Sequence, residues 1–183
     1  SACLAGDISQ ALMDRNYEKA KNIALQYRDI FGEGNFYLEI QDHGLPEQKE
    51  VNAALVKLSK EINIPLVATN DIHYVNKEDS KIHDVLMCIQ MGKTVNDPNR
   101  MRFGSDEFYL KSREEMEELF PYAPEAIDNT VKIAEMCNIE FDFNTIHLPK
   151  YDVPEGYTPD TYLRELCFKG LEERYDNPSQ EII

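Results

Sequence analysis

Asp71 and His73 stand two residues apart, directly after residues 65–69, an apolar run typical of a buried parallel strand. On a strand alternate side chains share a face, so a carboxylate and an imidazole would point the same way. The carboxyl ends of parallel strands are where α/β folds collect active-site residues. Oxygen and nitrogen ligands together suit Zn, Mn or Fe, so the pair indicates a metal site. A hydrogen bond between the two side chains, without a metal, is the alternative.

Cys3 is a third candidate ligand. It precedes a helix start that Asp7 is predicted to cap, so it can occupy a second strand-to-helix junction. Its thiolate would then lie on the same rim as Asp71 and His73. A buried thiol at the end of an element is the alternative.

The other histidines have weaker signals. His43 follows the extended run 36–40 and is expected to polarise a turn or to support a ligand rather than to bind metal directly. His83 falls within a predicted helix and His147 just before a proline, so both are expected to be structural or exposed.

The elements that must position these residues alternate in type. Helices are predicted over 7–13, 17–31, 48–62, 77–91, 113–119, 124–137 and 158–175, and strands over 36–40 and 65–69. Residues 108–110 are expected to be extended, and Ser112 with Glu115 has capping-box spacing. The order of helices and strands predicts an α/β fold with parallel strands.

Composition limits the function classes. The 183 residues include 34 Asp and Glu against 19 Lys and Arg, a formal net charge of −15, which argues against a general polyanion-binding surface. No apolar run reaches the roughly 18–20 residues that a membrane span needs. Cys88, Cys137 and Cys167 lie in stretches of helical periodicity and are expected to be small buried residues in a reducing, cytoplasmic compartment.

Several short stretches of the sequence occur in an order that is typical of one protein family. They cover residues 1–6, 36–39, 67–74, 108–116, 124–130, 148–149, 162–163 and 170–174. In this order they resemble the alpha (catalytic) subunit family of bacterial DNA polymerase III, the family C replicative polymerases. The resemblance runs over essentially the whole chain.

The resemblance implies a fold and two domains. Residues 1–140 would be the C-terminal part of a PHP (polymerase and histidinol phosphatase) domain, a distorted (β/α)7 barrel whose first strands lie upstream. Residues 141–183 would be a mainly helical linker and the beginning of the polymerase palm.

The resemblance also implies the site chemistry. It makes Cys3, Asp71 and His73 ligands of a divalent metal cluster, of Zn, Mn or Fe, that supports 3′–5′ exonucleolytic proofreading. Further ligands would lie upstream, and the palm aspartates that hold Mg²⁺ for nucleotidyl transfer downstream, so the catalytic residues of polymerisation are outside this sequence. The chain alone is therefore expected to be inactive and, with exposed strand edges, to self-associate.

The implied partners are a DNA primer-template, deoxynucleoside triphosphates, the sliding clamp and other replisome subunits. Two alternatives stay open. One is a free-standing PHP-type metal-dependent phosphoesterase. The other is a non-catalytic scaffold that docks an exonuclease subunit and keeps a structural metal site.

Overall fold

Two short strands pair in parallel. β1 (Leu38–Ile40) and β2 (Leu66–Ala68) lie with Leu38 opposite Leu66. Two further bonds extend the ladder at its ends, from Leu38 N to Pro65 O at 2.9 Å and from Thr69 N to Ile40 O at 3.1 Å. β2 is the central part of its predicted run, and β1 is the last three residues of its run. Their parallel pairing through an intervening helix confirms the α/β class.

The structure, a computed structural model, describes residues 1–177 and residue 179, and these divide into two units, one ending at Asn138 and the other starting at Ile139. The first unit contains six α-helices in its described residues. They are α1 (Asp7–Met13), α2 (Tyr17–Phe31), α3 (Pro46–Ile62), α4 (Ser80–Met91), α5 (Arg113–Leu119) and α6 (Pro124–Met136), and a 3₁₀ turn, Lys77–Asp79, precedes α4.

The core lies between the sheet and these helices. α6 packs on β2, α3 packs on β1, and α1 packs on α2 and α3. Their buried side chains form one cluster that includes Leu38, Leu55, Leu58 and Phe120. The Asn129 side chain of α6 also donates a hydrogen bond to Leu66 O at 2.7 Å. This contact attaches α6 to β2 directly.

A long irregular stretch, residues 92–112, separates α4 from α5. Within it Tyr109 forms an isolated parallel bridge with Tyr74. Backbone bonds from His73 N to Phe108 O, at 2.9 Å, and from Leu110 N to Tyr74 O, at 3.2 Å, accompany the bridge. The extended piece predicted over 108–110 therefore holds the segment that follows β2.

The capping box of α5 is present as predicted. Ser112 Oγ accepts a bond from Glu115 N at 3.2 Å, and the Glu115 carboxylate accepts one from Ser112 N at 2.7 Å. These bonds satisfy two amide groups at the helix start. They make Ser112 a point at which the stability of α5 can be tested.

Ser112→Ala is expected to lower the free energy of unfolding by about 1 kcal/mol, because an amide of the first turn loses its acceptor. Urea denaturation followed by circular dichroism measures the change. Ser80→Ala is the matched control, since Ser80 begins α4 without a side-chain cap and should tolerate alanine. An equal loss in both variants would contradict a specific role for the cap.

The second unit contains one helix in its described part, α7 (Pro159–Arg174). Thr158 caps it through its side chain, which accepts a bond from Thr161 N at 3.2 Å. Residues 139–158 form neither helix nor strand. None of the α7 side chains is buried. That this unit begins a palm, and that the first unit belongs to a closed barrel, stay predictions.

Two cysteine predictions are wrong. Cys88 is buried as expected, whereas Cys137 and Cys167 are exposed. Cys137 follows the last turn of α6, and Cys167 lies on α7, none of whose residues is buried. Helical periodicity places a residue on a face but does not provide the partner that buries the face. Among the described residues, no helix has the length and apolarity that a bilayer crossing requires.

Candidate functional site

The segment after β2 leaves the strand geometry at once. β2 ends at Ala68, and Asp71 adopts φ 43°, in the left-handed region. The alternation of a regular strand therefore does not extend to Asp71 and His73, and the prediction that they share a strand face is wrong. Both residues are exposed at the carboxyl end of the sheet, where the sequence placed them.

The His73 ring has a defined tautomer. Its Nδ1 lies 2.7 Å from the Asp71 carbonyl oxygen. Because a carbonyl oxygen only accepts, Nδ1 carries the hydrogen and Nε2 carries the lone pair. A metal-binding imidazole commonly donates its second ring N–H to a carbonyl in this way, so His73 is suited to bind a metal through Nε2.

The buried side chain of Asn70 anchors the segment that follows β2. It is 5% exposed, and its Nδ2 donates to Glu107 O at 2.8 Å and to Tyr109 O at 2.7 Å. Its Oδ1 is buried and has no partner in the part of the chain that the structure describes. The amide therefore joins the end of β2 to the extended piece around Phe108, and this sets the position of Asp71 and His73.

His43 connects the ends of the two strands. Its Nε2–H donates to Asn70 O at 2.9 Å, and its Nδ1 accepts from Gln48 Nε2 at 2.8 Å. The ring also stacks on Phe108 with centroids 3.9 Å apart. His43 is buried and holds the segment in place rather than facing a ligand, which agrees with the supporting role expected for it.

Burial lowers the pKa of His43, and the hydrogen bond to Asn70 O opposes this only in part. As the pH falls below about 6.5, the unfolded chain takes up this proton before the folded chain does, so the free energy of unfolding falls. One such group contributes a slope of at most about 1.4 kcal/mol per pH unit.

His43→Gln is expected to remove this contribution and flatten the acid limb of stability between pH 5 and pH 7. Urea denaturation across that range measures the slope. The matched control is His147→Gln, because His147 is exposed and its replacement should leave the slope unchanged. The same slope in wild type and His43→Gln would contradict the burial argument.

Aromatic rings enclose His73 on one side. Its ring centroid lies 4.8 Å from that of Phe103, 5.3 Å from that of His83 and 5.6 Å from that of Phe108. His83 is half-buried and packs on Phe103 at 5.0 Å, as expected of a structural histidine. These contacts restrict the rotation of the His73 ring, which leaves its Nε2 in a defined place.

Cys3 lies in a turn before α1 and is exposed. Ser1, two residues earlier, bonds to the edge of β1 through its main-chain N, at 2.8 Å from Tyr37 O, and through its Oγ, at 2.8 Å from Glu39 N. Cys3 also lines a small cavity with Gln41 and Gln48, at the carboxyl end of β1. Residues 1–6 form no strand, so Cys3 lies between a contact with β1 and the start of α1 rather than at the predicted strand-to-helix junction.

The three predicted ligands have suitable donor atoms. A thiolate, a carboxylate and an imidazole Nε2 together suit Zn, Mn or Fe. Residues 1–177 and 179 contain no group of three or more His, Cys, Asp or Glu side chains placed to hold a metal ion. The donor set thus fits such a metal in chemistry, and the assignment of Cys3, Asp71 and His73 as its ligands stays a prediction.

Comparison with known proteins identifies relatives of the chain. The PHP domain family matches residues 1–43. The chain is 44% identical over 183 residues to DNA polymerase III subunit alpha of Treponema pallidum (strain Nichols), which covers 100% of this chain and 16% of that protein. It is 45% identical over 184 residues to the same subunit of Borreliella burgdorferi, an alignment that covers 100% of this chain and 16% of that protein. It is 44% identical over 189 residues to the Thermus aquaticus subunit, an alignment that covers 100% of this chain and 15% of that protein. The chain thus spans about one sixth of the length of these relatives.

Proposed function

We propose that this chain, a member of the DNA polymerase III alpha-subunit family, serves in a DNA-directed DNA polymerase and carries part of a metal-dependent 3′–5′ exonuclease site. The observation that carries the exonuclease part is the hydrogen bond between His73 Nδ1 and the Asp71 main-chain carbonyl oxygen at the carboxyl end of β2, which leaves the Nε2 lone pair to bind a metal. Nucleotidyl transfer would use Mg²⁺ held by palm aspartates that are not in this sequence.

Cys3, Asp71 and His73 would hold Zn, Mn or Fe, together with ligands from beyond this sequence. Such a metal, when bound, lowers the pKa of a water molecule and stabilises the charge that develops on a phosphodiester. His73 offers Nε2, and its Nδ1–H is engaged by the Asp71 carbonyl. Asn70 and His43 keep that segment in position through their buried bonds.

The 183-residue chain alone is expected to have little or no nuclease activity. The described residues bring together no group of three ligands, so the site needs donors from elsewhere. A 5′-labelled single strand incubated with Mn²⁺ measures the activity. Strong cleavage that His73→Ala abolishes would contradict this expectation and place a complete site in the chain.

A chimera tests the proposal in its full context. This chain would replace the matching segment of the Treponema pallidum subunit, to which it is 44% identical. The proposal predicts primer extension together with Mn²⁺- or Zn²⁺-dependent removal of a mismatched 3′ nucleotide. A chimera that extends primers but removes no nucleotide under any metal would overturn the exonuclease part.

A scaffold function is the second candidate. It is favoured by the absence of a three-ligand group in residues 1–177 and 179 and by the buried bonds that tie Asn70 to the Phe108 segment. In this reading a metal at Cys3, Asp71 and His73 would be structural, and the domain would dock an exonuclease subunit. Metal removal would then lower the melting temperature of the chimera without changing its nuclease activity.

Self-association and the replisome contacts also belong to the proposal. The primer-template, deoxynucleoside triphosphates, the sliding clamp and other replisome subunits would be the partners, in the cytoplasm. α4 has an exposed apolar stripe at helical spacing, formed by Ile82, Val85, Leu86 and Ile89, which supports self-association of the 183-residue chain. Sedimentation velocity tests this, and a monomer at all concentrations would contradict it.

A further inference from the structure

A cavity adjoins His73 on the side of α4. It has a volume of about 450 Å³, within the range of small-molecule sites. Residues of α4, of the loop that follows it and of the 103–106 turn form its walls. Phe103 and His83 belong to these walls, and both rings also contact the His73 ring. The cavity and the candidate metal ligand therefore share a wall.

The cavity has more positive than negative groups left without a partner. Of its two carboxylates, Asp84 pairs with Arg100 at 2.5 and 2.6 Å, whereas Asp106 lies 3.7 Å from Lys77 Nζ, whose closer partner is Glu107. Lys81 and Arg102 also line it, and in the described part of the chain neither forms an ion pair with a carboxylate. Two positive charges are thus available to a ligand.

The walls around these charges are fixed. The Arg100 side chain is only 2% exposed, and its paired contacts with Asp84 join the loop after α4 to α4 itself. Arg102 is held through its Nη2, which donates to Val95 O at 3.2 Å and to Asp97 O at 3.4 Å. These carbonyls orient the guanidinium without neutralising it.

Neutral donors complete the lining. Ser105 Oγ accepts a bond from Glu107 N at 3.1 Å, which leaves its own hydroxyl hydrogen to donate, and Ser80 also lines the cavity. Hydroxyl, ammonium and guanidinium donors around one cavity match an oxyanion with several acceptor oxygens. A phosphodiester substrate carries phosphate groups, so phosphate is the oxyanion expected here.

We propose that this cavity binds a phosphate group of a nucleic acid strand, through Lys81 and Arg102, next to the His73 site. The inference rests on the proposed function, since it assigns the cavity to a phosphate that flanks the bond cleaved beside His73. The chain has a formal net charge of −15, so an anion is not attracted to its surface in general. Saturable binding of a phosphate would therefore report this local site.

Isothermal titration of the 183-residue chain, in EDTA and at low ionic strength, tests the proposal with two probes. Inorganic phosphate reports the phosphate site alone, and a thymidine tetranucleotide reports the strand. We expect saturable binding of both, with the tetranucleotide the tighter ligand. Tighter binding of free phosphate, or no saturable binding of either probe, would overturn the assignment to a strand.

Lys81→Gln is expected to weaken tetranucleotide binding about 5- to 10-fold, the effect of removing one charge-assisted contact. Because the Lys81 ammonium makes no ion pair in the described residues, the variant should fold normally, which circular dichroism checks. Arg102→Gln should weaken binding similarly. The matched control is Lys93→Gln, an exposed lysine outside the cavity, and equal weakening by Lys93→Gln would contradict the site.

Failure of this inference is distinguishable from failure of the proposed function. The titrations contain EDTA and measure no cleavage, so binding can be present in a chain whose chimera has no nuclease activity. Conversely, His73→Ala could abolish the nuclease activity of the chimera while Lys81→Gln leaves strand binding unchanged. That pair of results would support the metal site and contradict the phosphate cavity.

Discussion

His73→Ala is expected to lower the metal-dependent 3′–5′ degradation by the chimera at least about 10-fold, because losing a metal ligand costs no less activity than losing the partner that supports the ligand. Primer extension should stay within about twofold, since the proposed palm aspartates would lie outside this chain. Degradation should fall because Nε2 is the only ring nitrogen available to a metal, since Nδ1–H is bound to the Asp71 carbonyl. Alanine removes that donor and leaves the backbone bond from His73 N to Phe108 O possible.

His147→Ala is the matched control for this experiment. His147 is exposed and lies in the second unit, so its removal should change neither reaction. If both variants retained full degradation, His73 would not be a ligand. If His73→Ala lowered degradation and primer extension together, the effect would be one of folding, and a melting curve of the variant would reveal it.

Asn70→Asp is expected to lower the free energy of unfolding by about 3 kcal/mol or more. The substitution keeps the shape of the side chain but replaces its NH₂ group by an oxygen. That oxygen would face Glu107 O and Tyr109 O, which the amide now approaches to 2.8 and 2.7 Å. A buried acceptor would thus lie against two other acceptors, and a negative charge would be buried without a partner.

Two comparisons make this prediction specific. Asn70→Ala removes the bonds without adding repulsion and should cost less than Asn70→Asp. Asn99→Asp introduces the same charge at an exposed position and should change stability little. Urea denaturation at pH 7 measures all three variants. Similar losses for Asn70→Asp and Asn99→Asp would contradict the buried contacts assigned to Asn70.

Local signals were sufficient for most element boundaries. α2 and α5 have the predicted bounds, because Asn16 and Ser112 cap them and helix-breaking residues or a turn follow them. The strands are shorter than predicted by a residue or two at their ends, where Pro65 offers no N–H and few ladder bonds remain. Element type depends on nearby residues, and the sequence contains these in full.

The site was predictable in location but not in geometry. A carboxylate and an imidazole after a buried strand were enough to indicate the carboxyl end of the sheet. The Asp71 backbone is left-handed, and the segment that it begins is held by the bond from His73 N to Phe108 O, more than thirty residues along the chain. No local pattern encodes such contacts.

Asn70 was the main omission among the supporting residues. It directly follows the predicted strand, but its position in the sequence indicated no role. Its two bonds to backbone carbonyls, and the bond it accepts from His43, depend on pairs 27 to 39 residues apart. A buried amide directly after an apolar strand is the one signal that indicates such a role.

The zinc content of the chimera reports directly whether Asp71 and His73 are metal ligands. The chimera and its Asp71→Asn and His73→Ala variants would be equilibrated with Zn²⁺, dialysed and analysed by plasma mass spectrometry. We expect retained zinc in the parent chimera and a clear loss of at least one ion in each variant, with melting curves that show a folded protein. Equal zinc in folded parent and folded variants would contradict the assignment of Asp71 and His73 as ligands.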